Sequence, residues 1–253
     1  MTIVLEAKNV NKSYSVGRNN EQSVLKNVNL QLQAGEFVSI MGPSGCGKST
    51  LLYTISGMDK MTSGSVAIQG QEIGSLSEER LAQLRLSKMG FIFQQSGFLK
   101  NLSLLDNMIL PAYMAKRESR AVIDRRASEL MQRTGIAGLA NADKAEVSGG
   151  QLQRAAICRA LINQPDIVFG DEPTGALNSK ASDEVMAILT ELNHTGTTIM
   201  LVTHDAKVAA KTQRVLFMLD GRIVGERVLG QLGQAELKVR EAKLSSWLAE
   251  MGF

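Results

Sequence analysis

The sequence predicts an α/β protein: a core on a parallel sheet, with an N-terminal antiparallel β subdomain and an inserted helical subdomain. Three observations predict it. Gly42-Pro43-Ser44-Gly45-Cys46-Gly47-Lys48-Ser49-Thr50 reads G-x-x-x-x-G-K-[ST], between an apolar run at 36–41 and a helical run at 48–56 closed by Gly57. Strand, loop, helix is the setting this phosphate-binding motif requires. Two further apolar runs, 167–170 and 197–202, end in Asp171-Glu172 and in Thr203-His204-Asp205. Ligands of parallel α/β sheets bind at such strand ends. Finally, the stretch from Ser96 to about Asn141 loses strand signals and reads as helices.

Each residue type of the loop has a physical job. Glycines turn the backbone tightly and aim consecutive N–H groups into a concave anion nest. Lys48 sets a positive charge against terminal phosphates. The Ser49 hydroxyl is a hard oxygen that can ligate Mg²⁺, and Ser49 opens a helix whose N-terminus carries partial positive charge.

The chain has 253 residues, 44% hydrophobic and 21% charged, with a net charge of +3. That allows one large domain with a subdomain. So mild a charge, with no clustered basic run, does not argue for a nucleic-acid partner. The two cysteines, Cys46 and Cys158, lie far apart in the chain, so a reducing cytoplasm is expected rather than a structural disulfide. Cys158 reads as a small buried apolar residue. The N-terminus shows no secretory pattern, and no run approaches the ~18–20 apolar residues that span a bilayer. Work at a membrane would need spanning helices from another chain.

In order, strands are predicted at 3–10, 22–26 and 28–33, the last alternating apolar and polar as a half-buried antiparallel strand does. Residues 12–20 between the first two are polar and turn-rich. Tyr14 there reads as an exposed loop aromatic or as a ring stacked on a nucleobase; alone, it favours the first. After the phosphate loop come a strand at 63–68, a helix at 78–86 and a strand at 89–93 running into Gln94-Gln95. Helices follow at 103–113, with Ser103 and Asp106 set as a cap, and at 119–134. Residues 98–105 are apolar for a loop, through local packing or as a docking surface for a partner helix. Val147-Ser148-Gly149-Gly150-Gln151 precedes a helix at about 152–163 and is a second, weaker anion-site candidate.

Asp171 next to Glu172 at an apolar strand end reads as functional, and His204 at the next strand end is poised to bond phosphate or water. A helix is predicted at 179–192; His194 reads as solvated in a polar turn. Segments 214–219 and 222–228, joined by Asp220-Gly221, read as a hairpin. The tail from Gln234 reads as a helix with Leu244, Trp247, Leu248 and Met251 on one stripe, packed on its own domain, and with Lys238, Arg240, Glu241 and Lys243 polar around it. Domain boundaries are expected at 1–230 for the nucleotide-binding domain, with the helical insertion at about 96–146, and at 231–253 for an amphipathic extension. There is one phosphate loop and no internal repeat.

Taken together, these motifs resemble the ATP-binding-cassette ATPase family over residues 5–228. Ser148-Gly149-Gly150-Gln151, about 100 residues after the phosphate loop and about 20 before Asp171-Glu172, is the specific signal. The resemblance implies a P-loop NTPase core, with ATP and Mg²⁺ as ligands. It makes Tyr14 the adenine-stacking aromatic, Gln94 the residue reaching metal, attacking water and membrane partner, and Asp171 the metal carboxylate beside Ser49. It makes Glu172 the general base and His204 the switch histidine. Val147 stands where Leu is usual, and Asn178 where Asp is usual, which puts coupling between paired sites in question.

The family also implies a dimer of two such chains. In it, each ATP lies between one copy's Gly42, Ser44, Gly45, Cys46, Gly47, Lys48, Ser49 and Thr50 and the other copy's Ser148, Gly149, Gly150 and Gln151. It implies an integral membrane permease as partner and a peripheral place on the cytoplasmic face of the cell membrane. Residues 90–94 and 171–177 look like the macrolide-export and lipoprotein-release type. The tail and 100–111 look more like the bacitracin-resistance, antimicrobial-peptide branch. An exporter ATPase is the leading expectation; an importer ATPase, or an ATP switch acting on a membrane sensor or cell-wall remodelling, remains open.

Overall fold

The structure is a computed structural model that describes residues 2–17, 20–233 and 237–253. It opens with two long antiparallel strands, β1 (Ile3–Val16) and β2 (Asn20–Gln33). Sequence reading breaks this hairpin into three strands, and two local causes explain why. Asn9 (φ +49°) and Asn27 (φ +55°) take left-handed backbone at irregularities of the ladder. Beyond them the polar segment expected as a turn stays in the ladder, with Lys12 opposite Leu25, Ser13 opposite Ser23 and Tyr14 opposite Gln22. Most side chains there face water, so hydrophobic alternation is lost although pairing continues. Arg18 and Asn19 lie outside the described residues. The alternation predicted for 28–33 is present: Val28, Leu30 and Leu32 are buried, while Asn29 and Gln31 are exposed.

The chain continues through β3 (Phe37–Met41), α1 (Lys48–Ile55), β4 (Ser63–Ile68), β5 (Gln71–Glu72), α2 (Glu78–Lys88) and β6 (Met89–Phe93). Next come α3 (Leu104–Ala115), α4 (Arg120–Arg133), a 3₁₀ turn (Ala137–Leu139), α5 (Gly149–Leu161), β7 (Ile167–Asp171) and α6 (Ser179–His194). The last elements are β8 (Thr198–Val202), α7 (Ala206–Ala209), β9 (Arg214–Leu219), β10 (Arg222–Val228) and α8 (Leu237–Glu250). Ser103 caps α3 as predicted, accepting from the Asp106 amide at 3.0 Å. The start predicted for the tail helix, Gln234, lies outside the described residues. His194 is the exposed last residue of α6 rather than a turn residue.

Two sheets result: a four-stranded antiparallel sheet in the order β2-β1-β4-β5, and a six-stranded sheet in the order β10-β9-β3-β8-β7-β6. In the second, β9, β3, β8, β7 and β6 run parallel and only β10 is antiparallel. Its central strands β3 and β8 are buried at every residue, as parallel strands covered on both faces must be. Their side chains alternate between two cores. Phe37, Ile199 and Leu201 face the helices α3 to α6, while Val38, Ile40, Met200 and Val202 face α1 and the antiparallel sheet. Burying such a side chain stabilises the fold by about 1.5–3 kcal/mol.

A third cluster seats α8. Leu244 and Leu248 are buried against Val215 and Phe217, and the Trp247 ring meets Phe217 edge-on at 6.2 Å. The predicted stripe therefore packs on its own domain. Arg240 corrects the expectation of an outward polar residue. It lies one turn before Leu244 on the stripe, is buried, and donates to the carbonyls of Thr212 (3.0 Å) and Gly230 (2.8 Å). Its stem joins the apolar stripe while its head finds backbone acceptors.

Candidate nucleotide site

The strand order determines what can meet. Strands β3, β8, β7 and β6 are neighbours and parallel, so the residues following each lie side by side on one edge of the sheet. After β3 comes the phosphate loop, after β8 His204, at the end of β7 Asp171-Glu172, and after β6 Gln94.

The loop is shaped by glycines at three points. Gly42 (φ +152°) passes so close to β9 that a Cβ there would stand 2.0 Å from the Met218 carbonyl oxygen. Gly45 (φ +80°) and Gly47 (φ +102°) carry the turn into α1. Ser44 and Gly45 are exposed, Cys46 is buried and Thr50 half-buried. Burial pushes the Cys46 thiol up, against the pull of the neighbouring Lys48 ammonium. Gly42→Ala should destabilise the fold by about 3 kcal/mol, because a backbone oxygen cannot yield as a side chain can. Denaturant unfolding measures this, and a loss under about 1 kcal/mol would refute the contact.

Lys48 Nζ donates to the carbonyls of Gly42 and Pro43, both at 2.9 Å, and so is folded over its own loop. Ser49 Oγ donates to Asp171 Oδ1 at 2.9 Å, and the Tyr53 hydroxyl donates to Asp171 Oδ2 at 2.6 Å. Burial first, then Asp171, hold the Tyr53 hydroxyl well above its ordinary pKa, so it remains a donor. A serine hydroxyl beside one carboxylate is a donor set that fits Mg²⁺, which takes few protein oxygens and completes its shell with phosphate and water.

Glu172 adopts left-handed backbone (φ +46°), a conformation that costs a non-glycine residue on the order of 1 kcal/mol. Its amide donates to the Val202 carbonyl and its carbonyl accepts from Gly175, each at 3.0 Å, which holds it there. The turn aims the carboxylate at His204, with Oε1 3.0 Å from Nδ1. A Cβ on Gly175 would lie 3.0 Å from both Gln94 Nε2 and Glu172 Oε2, so Gln94 and Glu172 converge on this glycine.

Tyr14 sits within β1, not beyond it. Its hydroxyl donates to Asp59 at 2.5 Å, and Lys12 Nζ stands 4.5 Å from its ring centroid. Burial and Asp59 raise the Tyr14 hydroxyl's pKa. Lys12 also bonds Asp59 at 2.6 Å, and burial of Asp59 is outweighed by these donors, so its carboxyl titrates below its ordinary value. Tyr14 remains 40% exposed, open to a planar partner.

Ser148 is the N-cap of α5, which starts three residues earlier than the sequence predicts. Ser148 Oγ accepts from the Gln151 amide, and Gln151 Oε1 accepts from the Ser148 amide. Such reciprocal capping explains how two glycines can open a helix. Gly149 and Gly150 pack towards Leu177 and Ala181, and Asn178 caps α6 through the Ala181 amide at 2.9 Å. Gly149 and Gln94 line one cavity of about 540 Å³. Ser148 is exposed, and none of the hydrogen bonds among the described residues joins 148–151 to the phosphate loop.

The structure thus groups Lys48, Ser49 and Asp171, adds Gln94, Glu172 and His204 beside them, and leaves Ser148–Gln151 on a separate helix end. Tyr53, Asp59 and Lys12 are functional candidates that motif reading misses. Tyr53 has a signal, four residues after Ser49 on one helix face; Asp59 has none.

A second cavity, about 410 Å³, opens next to Gln94 between Phe91, Phe93, Ser96, Gly97 and Pro111. Phe98 and Leu104 are buried locally, with Phe98 under the Arg159 guanidinium, whereas Leu99 is 51% exposed.

The chain is similar to known proteins over most of its length. The family model described as ABC transporter matches residues 25–175. The macrolide export ATP-binding/permease protein MacB of Shigella sonnei is 45% identical over 224 residues, which is 88% of this chain but 34% of that protein. The chain therefore spans about a third of the length of the MacB relatives it matches. The bacitracin export ATP-binding protein BceA of Halalkalibacterium halodurans is 43% identical over 221 residues, 87% of each chain. Among solved structures, the dimeric cassette MJ0796 aligns with a TM-score of 0.83 and 41% identity, covering 90% of this chain and all of the other. MJ0796 in a post-hydrolysis dimeric state with ADP and Pi aligns equally well, at 40% identity. With the phosphate loop, the Ser-Gly-Gly-Gln helix end and the Asp-Glu strand end all in place within an aligned fold, the chain belongs to the ABC transporter family.

Proposed function

We propose that this chain is the ATP-hydrolysing subunit that energises a separate membrane permease, an exporter in the branch that handles antimicrobial peptides. The observation that carries the ATPase reading is the convergence of Lys48, Ser49, Asp171, Gln94, Glu172 and His204 on one sheet edge. Similarity to BceA over 87% of each chain supports the export reading. No helix among the described residues is long and apolar enough to cross a membrane. On this reading the chain lies peripherally on the cytoplasmic face. Residues 1–230 form the nucleotide-binding domain with the helical insertion at about 96–146, and 231–253 form an extension that braces β9 through α8.

In the proposed mechanism, Tyr14 stacks on adenine and Gly42–Thr50 wrap the phosphates with backbone N–H groups. Lys48 leaves the carbonyls of Gly42 and Pro43 for the terminal phosphates. Mg²⁺, when bound, would be held by Ser49, Asp171 and Gln94 and would neutralise phosphate charge. Glu172 accepts a proton from the attacking water, and His204, already bonded to Glu172, orients the γ-phosphate. Positioning and charge stabilisation supply most of the rate. A second copy completes each site with Ser148–Gln151, and the cavity beside Gln94 receives the permease.

The test is affinity purification of the tagged chain from its own membranes. The expected result is a permease with a large extracellular domain, together with ATPase activity in the complex. Recovery of a substrate-binding lipoprotein would point to import instead, and recovery of no permease would sink the transport reading.

A further inference from the structure

Helix geometry places Ser49 and Tyr53 one turn apart on the same face of α1, and that face looks onto the end of β7. The two hydroxyls divide the Asp171 carboxylate between them, Ser49 on Oδ1 at 2.9 Å and Tyr53 on Oδ2 at 2.6 Å. The Tyr53 ring is itself held. It meets the Phe93 ring at 6.5 Å, Phe93 stacks on Phe91 at 6.1 Å, and Phe91 stacks on Phe169 at 5.6 Å. Phe169 lies two residues before Asp171 on β7. The donor and the carboxylate it serves are thus fixed to one strand pair.

We propose that Tyr53 is the positioning residue of the Asp171 carboxylate and thereby sets how tightly the nucleotide site takes up Mg²⁺. The inference rests on the reading of Asp171 as the metal carboxylate. Ser49 cannot do this job alone, because its single O–H reaches only Oδ1 and leaves Oδ2 without a donor to fix the plane of the carboxylate. The Tyr53 bond points at the other oxygen and is compatible with a ligated Oδ1. It keeps the carboxylate from rotating about its Cβ–Cγ bond. Outer hydrogen bonds of this kind commonly govern metal affinity about tenfold or more.

Tyr53→Phe removes the hydroxyl and keeps the ring against Phe93. A fluorescent ATP analogue is titrated into the full chain without divalent metal, and then Mg²⁺ is titrated at fixed analogue. The expected result is a Mg²⁺ midpoint raised roughly tenfold, with metal-free affinity unchanged. An unchanged midpoint overturns the proposal. So does an equal loss of metal-free affinity, or a collapse of the thermal unfolding midpoint, since either would make the hydroxyl merely structural. If analogue binding to the unaltered chain ignores Mg²⁺, the assignment of Asp171 falls and Tyr53 with it. If the unaltered chain responds and Tyr53→Phe responds identically, only the Tyr53 proposal falls.

Discussion

Glu172→Gln is expected to lower steady-state ATP turnover about 10³-fold while leaving ATP binding intact, so that an ATP-dependent dimer accumulates. The amide is nearly isosteric with the carboxylate. Its oxygen can still accept from a His204 ring N–H across the present 3.0 Å contact. The backbone bonds that hold residue 172 in its left-handed turn, to Val202 and from Gly175, do not involve the side chain. What the substitution removes is the capacity to take a proton from water, a contribution general bases supply at the level of about 10²–10⁴-fold. Without turnover, the ATP that bridges two copies is not consumed, and the bridged state persists. Phosphate release and size-exclusion chromatography with and without ATP check both halves. A variant that hydrolyses ATP at the unaltered rate would remove Glu172 from the base role and turn attention to His204, its hydrogen-bonded neighbour.

Much of this site can be read without coordinates, and for a definite reason. The phosphate loop, Asp171-Glu172 and His204 follow short, mostly apolar runs, and parallel strands buried on both faces must have such runs. Chemistry at their ends therefore stands out against a uniform background. Where an element faces water on most sides, the signal fades. The outer half of the β1–β2 hairpin carries Lys12, Ser13 and Tyr14 in register with its partner strand, yet its composition reads as a turn.

Long-range partners are also invisible. Asp59 follows α1 in a loop and is joined to Tyr14, 45 residues away, only by the fold. Arg240 is misread because charge alone argues for solvent, while the two carbonyls that satisfy it come from Thr212 and Gly230, outside its own helix. Tyr53 lies between these cases. Its i, i+4 relation to Ser49 is legible, but its meaning depends on which strand end the helix face meets.

The exposed end of α5 makes the sharpest claim about assembly, and Ser148→Asp tests it without disturbing the fold. Aspartate is as good an N-cap as serine, so the bond from the Gln151 amide and the start of α5 should survive with little change in stability. Nucleotide binding by a single copy should also be unchanged, because none of the hydrogen bonds among the described residues ties Ser148 to the phosphate loop. A carboxylate brought against the γ-phosphate by a second copy, however, costs several kcal/mol, roughly 10²–10³-fold in dimer formation and in hydrolysis.

Mixing decides whether the contact is made across copies. A Lys48→Ala copy has a defective phosphate loop and a sound Ser148, and a Ser148→Asp copy has the reverse. If each ATP lies between one copy's loop and the other's helix end, a mixed pair holds one doubly defective site and one intact site. Turnover then returns on mixing two inactive preparations, to on the order of a quarter of the unaltered rate if the sites act independently. If Ser148 served the loop of its own chain, every site in every pairing would carry one defect and mixing would restore nothing. The same silence, with each variant shown to be folded, would remove the composite site from the mechanism.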